Sequence, residues 1–237
     1  MTKPMNIATA SAEPVLRREP KRYVFFLLRS FSALDLCAAL DALKEANSFD
    51  GTARYTWTTL SEDGNPVVAS NGLGFTADGM LSNLDRRDTV IVLGGDDFVS
   101  AGTLPVQAWL RRQARKGVTV GGLRRAAFVL ARAGLLDDHE TAAHWSCQAA
   151  LKEVHPDLEI TRGVFQMGEA RFTGAGGAST LDIMIHLISR EQGTDVATWV
   201  ADRLVYSAHA AGGRSRPSAT VAGWPAATTR SRKPSAS

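Results

Sequence analysis

Two kinds of hydrophobic pattern alternate along this chain. Residues 23–28 (YVFFLL) and 89–93 (TVIVL) are short unbroken apolar runs rich in aromatic and β-branched side chains, which predicts strands buried on both faces. Between them, Leu34, Cys37, Ala38, Leu40, Ala42 and Leu43 recur at helical spacing behind Ser32, whose hydroxyl suits the cap of a first turn. Residues 55–60 (YTWTTL) alternate and predict a strand; the turn-rich SEDGNP follows, then short strands at 67–69 and 72–75. A helix is predicted at 105–116, with Pro105 at its start and Gly117 at its end. A strand at 118–120 is predicted to open at Gly121-Gly122 into a helix over 125–133, stopped by Gly134. Strand-like pieces recur at 140–143, 158–160, 164–167 and 171–173, and helices are predicted at 179–191 and 194–206.

Strands alternating with helices of this length predict βαβ units and a mostly parallel sheet, the α/β class. Ligands of such sheets gather at the carboxyl ends of the strands. Asp35, Gly94-Gly95 and Gly121-Gly122 each follow a predicted strand, so they are expected to converge on one crevice. There is no internal repeat.

Composition narrows this picture. With 237 residues, 44% hydrophobic and 22% charged, the chain suits one globular domain. No apolar run approaches the roughly 18 residues that span a bilayer, and the first residues lack the apolar core of a signal peptide. Cys37 and Cys147 form neither a disulfide framework nor a CxxC pair, which points to the cytoplasm and away from zinc. The net charge is +3, but the last 30 residues carry Arg214, Arg216, Arg230, Arg232 and Lys233 with no acid, and the rest of the chain is then at −2. The body is therefore not a basic nucleic-acid surface. The expected organisation is a disordered leader at 1–20, a folded domain at 21–207 and a disordered basic tail at 208–237 in which only Trp224 is suited to docking.

Several motifs carry candidate chemistry. Gly94-Gly95-Asp96-Asp97 reads either as a tight turn or as a set of backbone donors facing a ligand carboxylate; two adjacent aspartates without further partners make a poor metal site. Gly174-Ala175-Gly176-Gly177 precedes a helix as a phosphate-cradling loop would, yet no Walker lysine follows. Asp182 and His186 share a helix face, which reads as a helix-stabilising pair or core histidine ahead of a metal pair. Trp109 and Trp199 read as packing or interface residues, and Arg111, Arg112, Arg115 and Lys116 as a solvated helix end.

The most informative segment is VTVGGLRRAAFVLARAGLLDDHETAAHW, where strand, glycines, tight turn and helix make the geometry of a nucleophile elbow. Here, and in FSALDLCAALDALKEAN, YTWTTLSEDGNPVVASNGLGF, TVIVLGGDD, WLRRQARKGVTVGGL and FTGAGGASTLDIMIHLI, the chain resembles PfpI-type, class I glutamine amidotransferase-like domains. It is most similar to those in the N-terminal sensor half of GlxA-like AraC-family transcription regulators, over about residues 22–206. The resemblance implies a flavodoxin-like three-layer sandwich, with a mostly parallel central sheet flanked by helices.

Members of that family commonly read G-x-x-C-T-G-A/S at the elbow, with cysteine at the apex. This chain reads Gly121-Gly122-Leu123-Arg124-Arg125-Ala126-Ala127, so Arg124 stands at the cysteine position and Ala126 at that of the following glycine. Arginine stays protonated and is no nucleophile, which argues against a cysteine-based amidase, peptidase or glyoxalase-like reaction and assigns no catalytic residue. Asp35 matches the family's acidic residue beside the nucleophile, and His144 the histidine of T-x-H-W. The resemblance thus implies a ligand site at Asp35, Gly94, Gly95, Asp96, Arg124, Arg125, His144 and Gly176, without metal or cofactor. At that site an Asp35–Arg124 ion pair that merely closes the vacated position is as well supported as ligand contact. The implied ligand is a small metabolite: an amino acid, a betaine-like compound or another carboxylate, since Arg124 would repel a cationic head group. A homodimer is implied as well. The alternatives are a PfpI-type enzyme using a residue other than cysteine, and a structural partner that dimerises with an intact regulator.

GlxA-like regulators continue into an AraC-type helix-turn-helix region, whereas nothing after Tyr206 has that periodicity. The abrupt change to Ala-, Arg-, Ser- and Pro-rich sequence is what an out-of-frame reading of a GC-rich gene would produce. The expectation is a truncated or frameshifted regulator that reads DNA only through a domain missing here.

Overall fold

The computed structural model describes residues 19–96 and 102–206. Most of the expected leader at 1–20, the expected tail at 208–237 with Trp224, and Asp97 lie outside the described residues. The elements run β1 (Lys21–Leu27), α1 (Ala33–Ser48), β2 (Tyr55–Leu60), β3 (Val67–Val68), β4 (Gly74–Phe75), β5 (Thr89–Leu93), α2 (Leu104–Arg115), β6 (Thr119–Leu123), α3 (Ala126–Arg132), α4 (Trp145–Val154), β7 (Phe165–Met167), β8 (Arg171–Gly174), α5 (Ser179–Gln192) and α6 (Thr194–Arg203). Six strands form one sheet in the order β2-β1-β5-β6-β8-β7, parallel except for β7, and β3 and β4 pair as a small antiparallel ribbon.

The unbroken apolar strands follow from a sheet covered on both faces. Side chains alternate across a strand, so successive residues of β1 enter opposite layers. Val24, Phe26 and Leu28 join Val90 and Val92 of β5 under α2, α3 and α4. Tyr23, Phe25 and Leu27 join Ile91 and Leu93 under α1, α5 and α6. The result is the three-layer α/β sandwich that the sequence predicts. Trp109 anchors the first layer, buried beside Phe26 with ring centroids 5.4 Å apart and its indole N–H donating to the Ser82 carbonyl at 2.6 Å. Trp199 is half-buried on the other side, edge-on to Phe49 at 5.8 Å and close to the Arg203 guanidinium. Among the described residues no helix is long and apolar enough to cross a membrane.

Four expectations are corrected. The helix α1 is present and capped by Ser32, and Ala42 and Leu43 are buried as expected, but its apolar stripe also takes in Leu36, Ala39 and Ala46, while Leu34 and Cys37 face out. Gly121 and Gly122 do not end a strand; both lie within β6, which continues to Leu123. The reason is steric. A Cβ on Gly121 would fall 2.0 Å from the Phe172 ring and one on Gly122 would fall 2.6 Å from Leu130, so the neighbouring layers occupy the space of both side chains. The expected strands at 140–143 and 158–160 reduce to one parallel bridge between Thr141 and Ile160. A helix not expected from the sequence, α4, follows His144 and buries only Cys147 and Leu151.

Overpacking of a dense core costs about 1–3 kcal/mol. Gly121→Ala should therefore lower the urea-unfolding free energy by about that amount, whereas Gly74→Ala, which meets nothing within 4 Å, should stay within about 0.5 kcal/mol. Equal losses at the two positions would contradict the packing account of the β6 glycines.

Candidate functional site

The site is built where β1, β6 and β8 deliver their carboxyl ends. After β1 the chain turns at Phe31 and enters α1, where the Ser32 hydroxyl accepts the Asp35 amide at 3.3 Å. That cap holds Asp35 in the first turn, where it is fully buried. After β6 the chain reaches Arg124, whose φ of 57° is left-handed and unusual for a residue with a Cβ. Its amide N–H donates to the Gly174 carbonyl at 2.8 Å, so the turn is tied to the end of β8. This is elbow geometry with an arginine at its apex.

Arg124 and Asp35 meet directly. Arg124 Nε lies 2.9 Å from Asp35 Oδ2, and the arginine side chain remains 29% exposed. Asp35 Oδ1 accepts the Gly177 N–H at 2.5 Å and the Thr180 hydroxyl at 3.3 Å. Gly176 closes over this pair with φ of 73°, and a Cβ there would fall 2.4 Å from Arg124 Cγ and 2.7 Å from Asp35 Oδ2. Only glycine fits. Burial pushes the Asp35 carboxyl above the ordinary aspartate range, against the opposing pull of Arg124, the Gly177 N–H and Ser32. Among the described residues nothing hydrogen-bonds to Nη1 or Nη2 of Arg124, which leaves the outer end of the guanidinium available.

A second cluster adjoins the first. Arg125 Nη1 donates to the Asp96 carbonyl at 3.0 Å and lies 3.4 Å from its carboxylate, which is 74% exposed. Arg125 Nη2 reaches Ser146 Oγ at 3.4 Å, and the same hydroxyl lies 2.8 Å from His144 Nδ1. His144 is the N-cap of α4 and accepts the Ser146 amide at 3.3 Å. Partial burial, then the charges of Arg124 and Arg125, hold its imidazole below the ordinary histidine range, so it is neutral near pH 7. Asp35 neutralises Arg124 from below and exposed Asp96 lies beside Arg125, so the crevice combines guanidinium donors with an imidazole and a carboxylate.

Asp35, Arg124 and Gly176 are thus brought into contact, and Asp96, Arg125 and His144 into a linked group. Gly94 and Gly95 lie where the segments after β1, β5 and β6 meet. The Gly94 N–H is engaged by the Leu123 carbonyl at 3.2 Å, and a Cβ on either residue would strike backbone: Ala126 N at 2.2 Å for Gly94, Ser30 O at 1.6 Å for Gly95. They are glycines because three turns meet there. In the Gly174-Ala175-Gly176-Gly177 loop the Gly177 N–H is directed at Asp35. Sequence reading missed Thr180 and Ser146; the first is signalled only by the Ser-Thr pair opening α5 and the second by its place two residues after His144. Cys37 is exposed on α1 and Cys147 is buried with Sγ 3.1 Å from the His144 carbonyl, so neither stands at the elbow. His186 packs against the Phe165 ring, and among the described residues no group of three or more His, Cys, Asp or Glu side chains is arranged to hold a metal ion.

Residues 21–184 match the DJ-1/PfpI family. The HTH-type transcriptional regulator GbdR of Pseudomonas aeruginosa is 36% identical over 197 residues, covering 83% of this chain and 54% of that protein. The HTH-type transcriptional regulator GlxA of Rhizobium meliloti is 34% identical over 192 residues, covering 81% of this chain and 59% of that protein. An AraC family transcriptional regulator from Pseudomonas putida, of known structure, superimposes with a TM-score of 0.68 at 31% identity, covering 78% of this chain and all of that one. The chain spans little more than half the length of the curated regulators it matches.

The raised proton affinity of Asp35 makes a pH prediction. The native state holds a proton on Asp35 over an interval above the ordinary aspartate value, where the unfolded chain has already lost it. Stability contributed by this group is therefore full at the acid end and falls as pH rises through the folded value. Urea unfolding between about pH 4 and 7 should show that decline in the wild type and a flatter profile in Asp35→Asn. Identical profiles would contradict the assignment.

Proposed function

The chain belongs to the DJ-1/PfpI family, and from that footing we propose that it is a non-catalytic ligand-binding domain of the kind found in AraC-type regulators. Its ligand is a small metabolite carrying a carboxylate: an amino acid, a betaine-like compound or a simple carboxylic acid. The observation that carries this reading is Arg124 at the elbow apex, held through Nε by buried Asp35, with Nη1 and Nη2 unclaimed. Anchoring one edge of a guanidinium presents its other donors in a fixed fork, which matches a carboxylate in geometry and charge. Arg125 and His144 line the same crevice and would complete the contact, with Asp96 and Gly176 setting its edges.

Catalysis is left out of this reading because a protonated guanidinium occupies the place of the nucleophile, and the cysteines lie elsewhere. In a regulator the domain would report occupancy from a cytoplasmic homodimer, and sequence-specific DNA contact is assigned to none of the described residues.

A thermal-shift screen against amino acids, betaines, polyamines and small carboxylates tests the proposal. A ligand at about 100 times its Kd stabilises the native state by about 2.7 kcal/mol, and Tm should rise accordingly in the wild type but not in Arg124→Ala. A ligand that shifts both proteins equally would remove Arg124 from the site. Silence across the panel, with Arg124→Ala less stable than wild type, would make the Asp35–Arg124 pair a structural closure.

A further inference from the structure

A second concavity lies apart from the elbow. It encloses about 480 Å³ at the carboxyl end of β1, within the size range of small-molecule sites. Its position follows from the topology. β1 leads through α1 to β2 on one side, whereas its neighbour β5 leads through α2 to β6 on the other, so the chain reverses direction between β1 and β5. In open α/β sheets that reversal opens a crevice at the strand ends. The walls are Leu28, Arg29 and Ser30 from the turn after β1, Glu62 and Val67 from the segment after β2, and Thr103 at the start of α2.

These walls carry charges of both signs. The Ser30 backbone is left-handed, with φ of 56°; its N–H donates to the Val68 carbonyl at 3.1 Å, and its own carbonyl is set against Gly95. Across the cavity, the Glu62 carboxylate accepts the Thr103 hydroxyl through Oε1, and Oε2 has no partner among the described residues. Arg29 is exposed and makes no hydrogen bond or ion pair among the described residues. Arg29, the exposed Asp63 carboxylate that feels its charge, and half-occupied Glu62 thus face a common space with an apolar floor. Neither Arg124, Asp35 nor His144 borders it.

We propose that this cavity is a second binding site, for a small amphoteric molecule whose carboxylate meets Arg29 and whose ammonium meets Glu62. A free amino acid has that chemistry and fits the volume. Occupancy here is independent of the carboxylate contact at Arg124, although Ser30 forms one wall and backs onto Gly95, the neighbour of Asp96 in the elbow cluster.

The test is calorimetric titration of the proteinogenic amino acids, one at a time, into the wild type and three variants, with propionate and propylamine as single-charge controls. At least one amino acid should bind, and Arg29→Ala and Glu62→Gln should each weaken it about tenfold or more, the scale of a charged hydrogen bond. Arg124→Ala should leave that affinity within about threefold, since additivity holds for sites that share no partner. In Arg124→Ala, which removes the elbow contact, both controls should fail to bind. Arg29 is exposed and makes no hydrogen bond or ion pair among the described residues, and Glu62→Gln keeps the acceptor for Thr103, so both variants should melt close to the wild type. Binding lost in Arg124→Ala but kept in Arg29→Ala would overturn this site and support the elbow reading. Absence of any amino-acid binding, or amino-acid affinity in Arg124→Ala unchanged by Arg29→Ala and Glu62→Gln, would also overturn it, and both leave the elbow to its own screen.

Discussion

Asp35 has no contact with solvent, and a carboxylate so placed must either be met by donors or take up a proton. Much of the local architecture is the set of conditions under which that happens. Ser32 caps α1 and sets the angle at which Asp35 leaves the helix; Gly177 and Thr180 supply donors from the start of α5. Arg124 supplies the counter-charge, from a left-handed turn that few residues with a Cβ adopt. Gly176 must lack a side chain for the loop to close over the pair. Three strands and two helices are thereby tied together at one carboxyl edge of the sheet.

The fold was largely legible in the chain because strands with two buried faces leave a strong mark. YVFFLL and TVIVL can be satisfied only between two helical layers, and the observed sheet has both runs at its centre. What was not legible depended on partners distant in sequence. Gly121-Gly122 read as a turn because glycine usually interrupts a strand; their true cause, Phe172 and Leu130 packed on either face of β6, is invisible until the layers are assembled. The helix α4 buries only two residues, so its periodicity was too sparse to register. In α1 the expected stripe holds at Ala42 and Leu43 but fails in the first turn, where apolar Leu34 and Cys37 face outward while the charged Asp35 faces in.

The site shows the same division. Arg124 at the apex, and its meeting with Asp35, could be anticipated from the resemblance to PfpI-type domains. That Asp35 would have its other oxygen occupied by Gly177 and Thr180 could not, nor that Gly94 would use its N–H within the fold. Both findings narrow the chemistry: the Gly94 and Gly177 N–H groups and the Thr180 hydroxyl are engaged within the fold, whereas the outer edge of Arg124 has no hydrogen-bond partner among the described residues. The elbow has exchanged a nucleophile for a fixed cation, which suits recognition of an anion and not covalent attack.

The central claim, that Arg124 is anchored at one edge and open at the other, is most directly tested by NMR of the arginine guanidinium groups in ¹⁵N-labelled protein, with and without the carboxylate giving the largest thermal shift. The account predicts that the Arg124 Nη resonances shift and sharpen on binding while its Nε–Hε signal, held by Asp35, stays in place. An Nε–Hε signal that moves as the pair breaks, or Nη signals indifferent to the ligand, would contradict it.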